Sequence, residues 1–320
     1  MRIRVAVIGN PNVGKSLIFN NLTGGRAHVG NWPGKTVEKK EGKCVHKGEE
    51  MEIIDLPGTY SLTARSVDEL IARDYMVREK PDVVIDIVDA SNLERNLYLT
   101  LQLLELEANV VIALNKHDIA KSLGYEIDAN VLSKLLGVRV IPTVATTKEG
   151  MEKLKEAAVE AAREKETRRM IKISYGKTID ELISKVEQVI LRDEALSSKY
   201  PTRWFAIKVL EGDEVVLKEI GESLWKDDIL EVTDSMSKKA REMLGEEPEV
   251  AFAEKRYEFI SEIMPKVLKG ARPLTRSDLL DKAFLNKYLV RVSKKNSSNS
   301  NKPNSGVKVV KGFDKAVRRE

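Results

Sequence analysis

Eight residues near the start of the chain, Gly9-Asn10-Pro11-Asn12-Val13-Gly14-Lys15-Ser16, have the GxxxxGKS spacing with which a backbone loop cradles phosphate. The glycines let successive N–H groups converge on anionic oxygens, and the helix that follows adds its dipole. Lys15 can reach the β- and γ-phosphates of a nucleotide and the Ser16 hydroxyl can ligate Mg²⁺. Asn10 and the run from Asn12 through Val13, Gly14, Lys15 and Ser16 to Leu17 are therefore the expected phosphate contacts. Further on, Asp55-Leu56-Pro57-Gly58 offers a carboxylate to the same metal and a glycine N–H that can meet a γ-phosphate and register its loss. Alone this string is a common turn; its position after the strand that follows a phosphate loop gives it meaning.

Asn115-Lys116-His117-Asp118 concerns the base. The Asp118 carboxylate can accept two hydrogen bonds from N1 and N2 of guanine, a pair that adenine does not offer, so this residue selects the nucleotide. The stem of Lys116 is expected over the base, and His117 is expected to face solvent. Val144-Ala145-Thr146 fits a small loop whose Ala145 N–H meets guanine O6. Thr36 lies 21 residues after Lys15 in the glycine-rich stretch Val29 to Thr36. A threonine there can complete the Mg²⁺ shell when a triphosphate is bound. Without the phosphate loop it would read as the start of a strand.

These residues need a scaffold that brings them together. Apolar β-branched runs recur at Ile3 to Ile8, Met51 to Ile54, Val83 to Val88, Val110 to Leu114 and Val138 to Ile141, and most are separated by helical periods such as Leu93 to Leu106. The alternation predicts an α/β fold, a mostly parallel sheet with helices on both faces. Lys35 to Val45 is charged and alternating, as an exposed edge strand would be, and pairs with Met51 to Ile54 as a hairpin through Lys47-Gly48. A helix over Glu149 to Lys165 ends this part, residues 1–165. Helical patterns then follow at Lys177 to Leu191, Thr202 to Leu210, Asp213 to Leu224, Asp227 to Leu244 and Ala251 to Leu268, predicting an all-helical domain over 170–270. The acidic stretch Asp68 to Asp74 reads as a solvated helix face rather than a metal site.

At 320 residues, 42% hydrophobic and 32% charged, the chain suits two globular domains. Residues 293–320 hold 8 Lys/Arg against 2 Asp/Glu, more than the whole chain's +4, so the remainder is mildly acidic and no nucleic-acid footprint is expected. That Ser-, Asn- and Lys-rich tail has too little apolar content to offset ordering entropy and is expected to be disordered. The single cysteine, Cys44, forms no internal disulfide, is expected to be inert, and fits a reducing cytosol. No signal-peptide pattern opens the chain, and its longest aliphatic run, Val110 to Leu114, is far short of a membrane span of about 20 residues.

Val29-Gly30-Asn31-Trp32-Pro33-Gly34, with Thr36-Val37-Glu38 and Asp55 to Leu62, resembles the ferrous iron transport protein B (FeoB) family. Arg203 to Lys208, Leu210 to Asp213, Arg256-Tyr257 and Phe259-Ile260 are similar to the helical segment that stabilises bound GDP in that family, and 271–292 is similar to its approach to a first membrane helix. The resemblance covers residues 1 to 290. It implies a P-loop GTPase domain followed by a helical GDI-like domain, acting in ferrous iron uptake with a membrane permease domain in cis or in trans. It places the chain in the cytoplasm or at the cytoplasmic face of the cell membrane. The family's membrane domain does not follow residue 290, so the expectation is a truncated form, a split gene product or a soluble paralogue. The residue after Gly58 is Thr59 rather than a water-positioning glutamine. The resemblance implies instead a K⁺ ion held by Asn12 and by the carbonyls of Gly30 and Trp32, with Lys15, Asn12, Thr36 and Gly58 serving hydrolysis; as a plain turn residue Asn12 would have no such role. Two other readings stay open: a soluble K⁺-dependent GTPase of RNA or ribosome maturation, and a slow nucleotide-gated binding module whose basic tail lies on an anionic membrane. Homo-oligomerisation is left open.

Overall fold

The pleat of a buried parallel strand sends alternate side chains to opposite faces, so each central strand must be apolar on both sides. In the computed structural model, which describes residues 2–164 and 172–270, the runs meet that demand. The chain runs β1 (Arg2–Gly9), α1 (Lys15–Thr23), β2 (Ala27–Asn31), β3 (Glu38–His46), β4 (Glu49–Asp55), α2 (Val67–Glu79), β5 (Val83–Asp89), α3 (Leu93–Glu105), β6 (Val110–Asn115), α4 (His117–Ser122), β7 (Glu126–Ile127), α5 (Ala129–Leu136), β8 (Arg139–Pro142) and α6 (Met151–Arg163). The helical part follows as α7 (Lys177–Ile190), α8 (Glu194–Lys199), α9 (Thr202–Leu210), α10 (Glu214–Ile220), α11 (Lys226–Leu244) and α12 (Pro248–Val267), closed by β9 (Leu268–Lys269).

The main sheet has the order β2-β3-β4-β1-β5-β6-β8; β4, β1, β5, β6 and β8 are parallel, and β2 and β3 pair antiparallel on one side. The expected α/β class and following all-α part are both present. Lys47 (φ 48°) and Gly48 (φ 83°) make the hairpin turn between β3 and β4. The charged strand at Lys35 to Val45 is not the sheet edge, however: β2, with all five residues exposed, lies outside it. Its Ala-His-Val-Gly-Asn sequence carries no amphipathic period, because neither face is covered. The juxtamembrane-like segment 271–292 and the tail 293–320 lie outside the described residues. No helix among the described residues is long and apolar enough to cross a membrane.

Each sheet face has its own core. Ile3, Val5 and Val7 of β1 and Ile85 and Ile87 of β5 pack with Ile18 and Phe19 of α1 and Leu154 and Ala158 of α6. Ala6, Ile8, Val84 and Val88 face α2 and α3, and that core runs on without a break into Ile183, Trp204, Phe205 and Ile260 of the helical part. The acidic stretch of α2 is consequently not a solvated face: Ile71, Ala72, Arg73, Tyr75, Met76 and Val77 are all buried. Arg73 Nη1 meets Asp213 Oδ2 at 2.7 Å, with both side chains at most 5% exposed.

A larger buried network joins the same two parts. Arg256, 1% exposed, donates from Nε and Nη2 to the two oxygens of Glu105 at 2.7 and 2.9 Å, and Nη1 contacts Glu211 Oε1 at 2.8 Å. Lys208 Nζ donates to the other Glu211 oxygen at 2.6 Å, and the Tyr175 hydroxyl donates to Glu105. Burial pushes the Glu211 carboxyl up, but Arg256 and Lys208 outweigh it and hold the group below its usual range. Two carboxylates and two cations leave the cluster neutral.

Removing Arg256 alone would strand buried anions. Arg256→Met is expected to lower unfolding free energy by about 3–5 kcal/mol in urea titration. Replacing Arg256, Glu105, Glu211 and Lys208 together by apolar residues of similar size should recover much of that loss. A second expectation concerns Asp86, which is fully buried in β5 with one hydrogen bond, from Thr100 Oγ1 at 2.6 Å. Burial raises its pKa from 3.8 to about 7, against the hydrogen bond. The folded state thus binds the proton more tightly. Its contribution is fully present below pH 3.8, and stability should fall as pH rises toward about 7. Asp86→Asn should flatten that part of the urea midpoint against pH.

Candidate functional site

Four chemistry-bearing segments start at the last residue of a strand: Gly9 on β1, Asp55 on β4, Asp89 on β5 and Asn115 on β6. Because these strands are parallel, all four ends open on one rim, where ligands of open α/β sheets are held. The phosphate loop turns there through two left-handed residues, Asn12 (φ 67°) and Gly14 (φ 92°), before α1 begins at Lys15. A Cβ on Gly9 would stand 2.6 Å from the Ile87 carbonyl, and one on Gly14 would stand 2.5 Å from Asn115 Nδ2. The fold therefore needs glycine at both places.

Asn115 ties the rim together. Its Nδ2 donates to the Val13 carbonyl at 2.8 Å, and its Oδ1 accepts from Ala145 N–H at 3.0 Å. Asn21 Nδ2 holds the Ala145 carbonyl at 2.7 Å, and Val144 bridges Glu149, so this loop is fixed on both sides. Lys116, itself left-handed at φ 56°, donates from Nζ to the Asn12 carbonyl at 2.8 Å and to Asp89 Oδ2 at 2.7 Å. Asp118 and Thr146 are exposed beside these groups, as are Ser16 and Leu17 at the start of α1.

Lys15 pairs with Asp55, the two side chains being 14% and 9% exposed. Burial raises the Asp55 pKa, and the Lys15 ammonium only partly reverses this. The loop after Asp55 lies on the phosphate loop: Thr59 N–H donates to the Gly9 carbonyl at 3.2 Å, and a Cβ on Gly58 would be 3.5 Å from Pro11 Cα. The Thr59 hydroxyl donates to the Ser61 carbonyl at 2.8 Å and is buried. Asn10 is 3% exposed, and neither polar atom of its side chain has a partner among the described residues.

The Gly30 to Thr36 segment is not gathered in. Gly30 pairs with Lys39 inside the β2–β3 ladder, and Thr36 is exposed in the following turn. No hydrogen bond joins this segment to the phosphate loop among the described residues. The Trp32 carbonyl accepts from Lys35 N–H at 2.9 Å, and its ring packs edge-on against Tyr75 of α2, centroids 5.7 Å apart. His117 departs from expectation: it is half-buried with Nδ1 shielded and unpartnered, and burial depresses its pKa. Asp89 was not anticipated. Its signal was positional, a carboxylate closing a buried strand in register with Asn115.

This fold and rim define a P-loop GTPase. Residues 3–158 match the sequence model of the family described as ferrous iron transport protein B, and residues 175–269 match that of the FeoB cytosolic helical domain. The chain is 49% identical over 278 residues to the Fe(2+) transporter FeoB of Methanocaldococcus jannaschii, covering 87% of this chain and 41% of the relative. It is 38% identical to the Fe(2+) transporter FeoB of Escherichia coli K12, covering 90% and 36%. It thus spans about two-fifths of the length of these curated relatives or less. Among solved structures, the cytosolic domain of the T. maritima FeoB iron transporter in apo form matches with TM-score 0.72 and 40% identity over 84% of this chain and 100% of that one. A GDP-bound mutant of the S. thermophilus FeoB G-domain matches with TM-score 0.76 and 34% identity, covering 83% and 100%. The chain belongs to the ferrous iron transport protein B family.

Gly14→Ala tests the rim's tightness. It combines a left-handed backbone with a Cβ in the place of Asn115 Nδ2, and should cost about 2–3 kcal/mol by thermal unfolding. Gly24→Ala is the control, because Gly24 is left-handed with nothing within 4 Å of a Cβ. It should cost only the backbone strain, about 1–2 kcal/mol.

Proposed function

We propose that the chain hydrolyses GTP with Mg²⁺ and K⁺, and that its nucleotide state governs ferrous iron uptake by a membrane permease domain, in cis or in trans. The observation that carries this reading is the hydrogen-bonded rim in which Asn115 and Lys116 hold consecutive carbonyls of the phosphate loop, Val13 and Asn12. A base-reading motif bonded directly to a phosphate loop lets one ligand engage both. Solved relatives with GDP and with GMPPNP support the choice of nucleotide. We assign 1–165 as the G domain and 170–270 as the helical domain, working in the cytoplasm or at the cytoplasmic face of the membrane.

In this reading the backbone from Asn10 to Leu17 and the Lys15 ammonium bind phosphate, and Gly58 meets the γ-phosphate. Asp118 reads the guanine edge, with Asn115, Lys116 and the Val144 to Thr146 loop shaping the pocket. Mg²⁺ falls to Ser16 and Asp55, joined by Thr36 in the triphosphate state. The oxygen donors suit a hard cation, and Asp55 already faces a positive charge, the Lys15 ammonium. Asn12 fits a K⁺ ligand: its side chain is exposed at the left-handed turn and makes no hydrogen bond among the described residues. The Gly30 and Trp32 carbonyls fit only after the β2–β3 hairpin rearranges, since Lys35 N–H holds that of Trp32. A K⁺ ion held by Asn12 would supply positive charge against the negative charge that develops during phosphoryl transfer. Thr59 does not take the place of a water-positioning glutamine, because its hydroxyl is committed to Ser61.

Steady-state GTP hydrolysis measured in KCl and in NaCl at equal ionic strength tests the proposal. The wild type should run several-fold faster in KCl, and Asn12→Ala should lose that advantage while still binding GDP. Equal rates in the two salts would remove the K⁺ assignment. Failure to bind GDP or GTP in calorimetry would remove the whole reading.

A further inference from the structure

Asp89 belongs to none of the motifs that announce the nucleotide site, yet it stands inside the rim with its carboxylate fully engaged. It closes β5, is 9% exposed, and lies in register with Asn115 across the parallel β5–β6 pair. Its Oδ1 accepts from the N–H and hydroxyl of Ser91 at 2.9 and 2.6 Å, and its own N–H donates to Asn96 Oδ1 at 3.3 Å. The carboxylate is thereby fixed in place. Its remaining oxygen, Oδ2, accepts from Lys116 Nζ at 2.7 Å.

Lys116 has a second contact, and it falls on the phosphate loop: Nζ donates to the Asn12 carbonyl at 2.8 Å. Asn12 holds φ 67°, the left-handed region that asparagine enters more readily than most side chains but that is one of several open to it, so a contact on its carbonyl helps select it. Lys116 is itself left-handed and 29% exposed along its side chain, so a long, mobile ammonium needs an anchor to stay on one carbonyl. Among the described residues Asp89 is the one carboxylate paired with it. The order of dependence runs from a rigid carboxylate to a flexible ammonium to a left-handed loop peptide.

We propose that Asp89 is a positioning residue of the nucleotide site: through Lys116 it sets the left-handed peptide at Asn12, and so the affinity for guanine nucleotide and the response to K⁺. The inference rests on the assignment of nucleotide and K⁺ to this rim. Asp89 acts through Lys116 and touches neither phosphate nor base. A merely structural carboxylate at the end of β5 would instead affect stability alone.

The test compares wild type, Asp89→Asn, Lys116→Met and the double variant in the full chain. GDP affinity is measured by calorimetry, kcat and KM for GTP in KCl and in NaCl, and the thermal midpoint by circular dichroism. Asp89→Asn should weaken GDP about tenfold, the size of one lost charge-assisted hydrogen bond. It should also shrink the KCl-to-NaCl ratio of kcat at saturating GTP, with the thermal midpoint within a few degrees of wild type. The double variant should be no worse than Lys116→Met, because both substitutions break one chain of contacts. Asp89→Glu, which keeps the charge and displaces it by one methylene, should retain more GDP affinity than Asp89→Asn. Unchanged GDP affinity and K⁺ ratio in Asp89→Asn would overturn the proposal, as would losses that add in the double variant or a binding loss that merely follows unfolding. If wild type binds GDP but ignores K⁺, a tenfold loss in Asp89→Asn still supports the positioning role and the K⁺ assignment alone falls. If wild type binds no GDP, the reading of the site fails, and the proposal with it.

Discussion

A guanidinium cannot shed its proton, so burying one obliges the fold to bring it carboxylates. Arg256, 1% exposed, imposes that condition. Its partners come from two places: Glu105 at the end of α3, and Glu211 just beyond α9, which also holds Lys208. Apolar burial would attract the helical part to the sheet in many orientations, since it has no direction. Matching a planar guanidinium to a bidentate carboxylate fixes one of them. The core on the α2–α3 face then becomes continuous with the core of the helical part.

Because Glu105 ends α3, the constraint reaches the nucleotide rim along a single helix. Asn96 near its start accepts from Asp89 N–H, Thr100 donates to Asp86, and Gln102 accepts from Leu62 N–H at 2.7 Å. A buried polar group is costly unless paired, so each contact also fixes the rotation of the helix. The α3 helix thus touches the end of β5, the loop after Gly58 and the Arg256 cluster. A second route leaves the same loop through α2, where Arg73 reaches Asp213 and Tyr75 receives Trp32. Any displacement of the Asp55 to Leu62 segment acts on both routes, which is how a change at the phosphate loop would be felt in the helical part.

The central strands and the phosphate loop were legible because their signals are local: buried β-branched runs and glycines at fixed spacing. The α10 helix, predicted to Leu224, stops at Ile220, where the chain turns under Gly221. The short α8, capped by Asp193, had too few residues to show a period. What sequence could not give were pairings between distant residues. Arg73 with Asp213 is 140 positions apart and Arg256 with Glu105 is 151, and on a helical period each reads as an ordinary surface charge. The acidic tint of α2 misled for the same reason: Asp68 and Asp74 are half-buried on a helix whose Ile71 to Arg73 and Tyr75 to Val77 are inside the molecule.

The pair of Lys15 with Asp55 bears on how the site would work as a switch. On the proposed assignment both groups would be wanted elsewhere when nucleotide is bound, the ammonium on phosphate and the carboxylate on the metal. Left without a partner, Asp55 at 8% exposure would face the desolvation that already raises its pKa. The ion pair with Lys15 offsets part of that cost. On the proposed assignment, phosphate and metal arriving together would give each group a new partner, whereas either alone would leave a buried charge unmatched. The Thr59 N–H bond to the Gly9 carbonyl adds a geometric condition, because it holds the Gly58 loop against the phosphate loop. On the proposed assignment a third phosphate would therefore work against contacts made by the Asp55 to Thr59 segment, and the loop that would yield is the one joined to the helical part through α2 and α3.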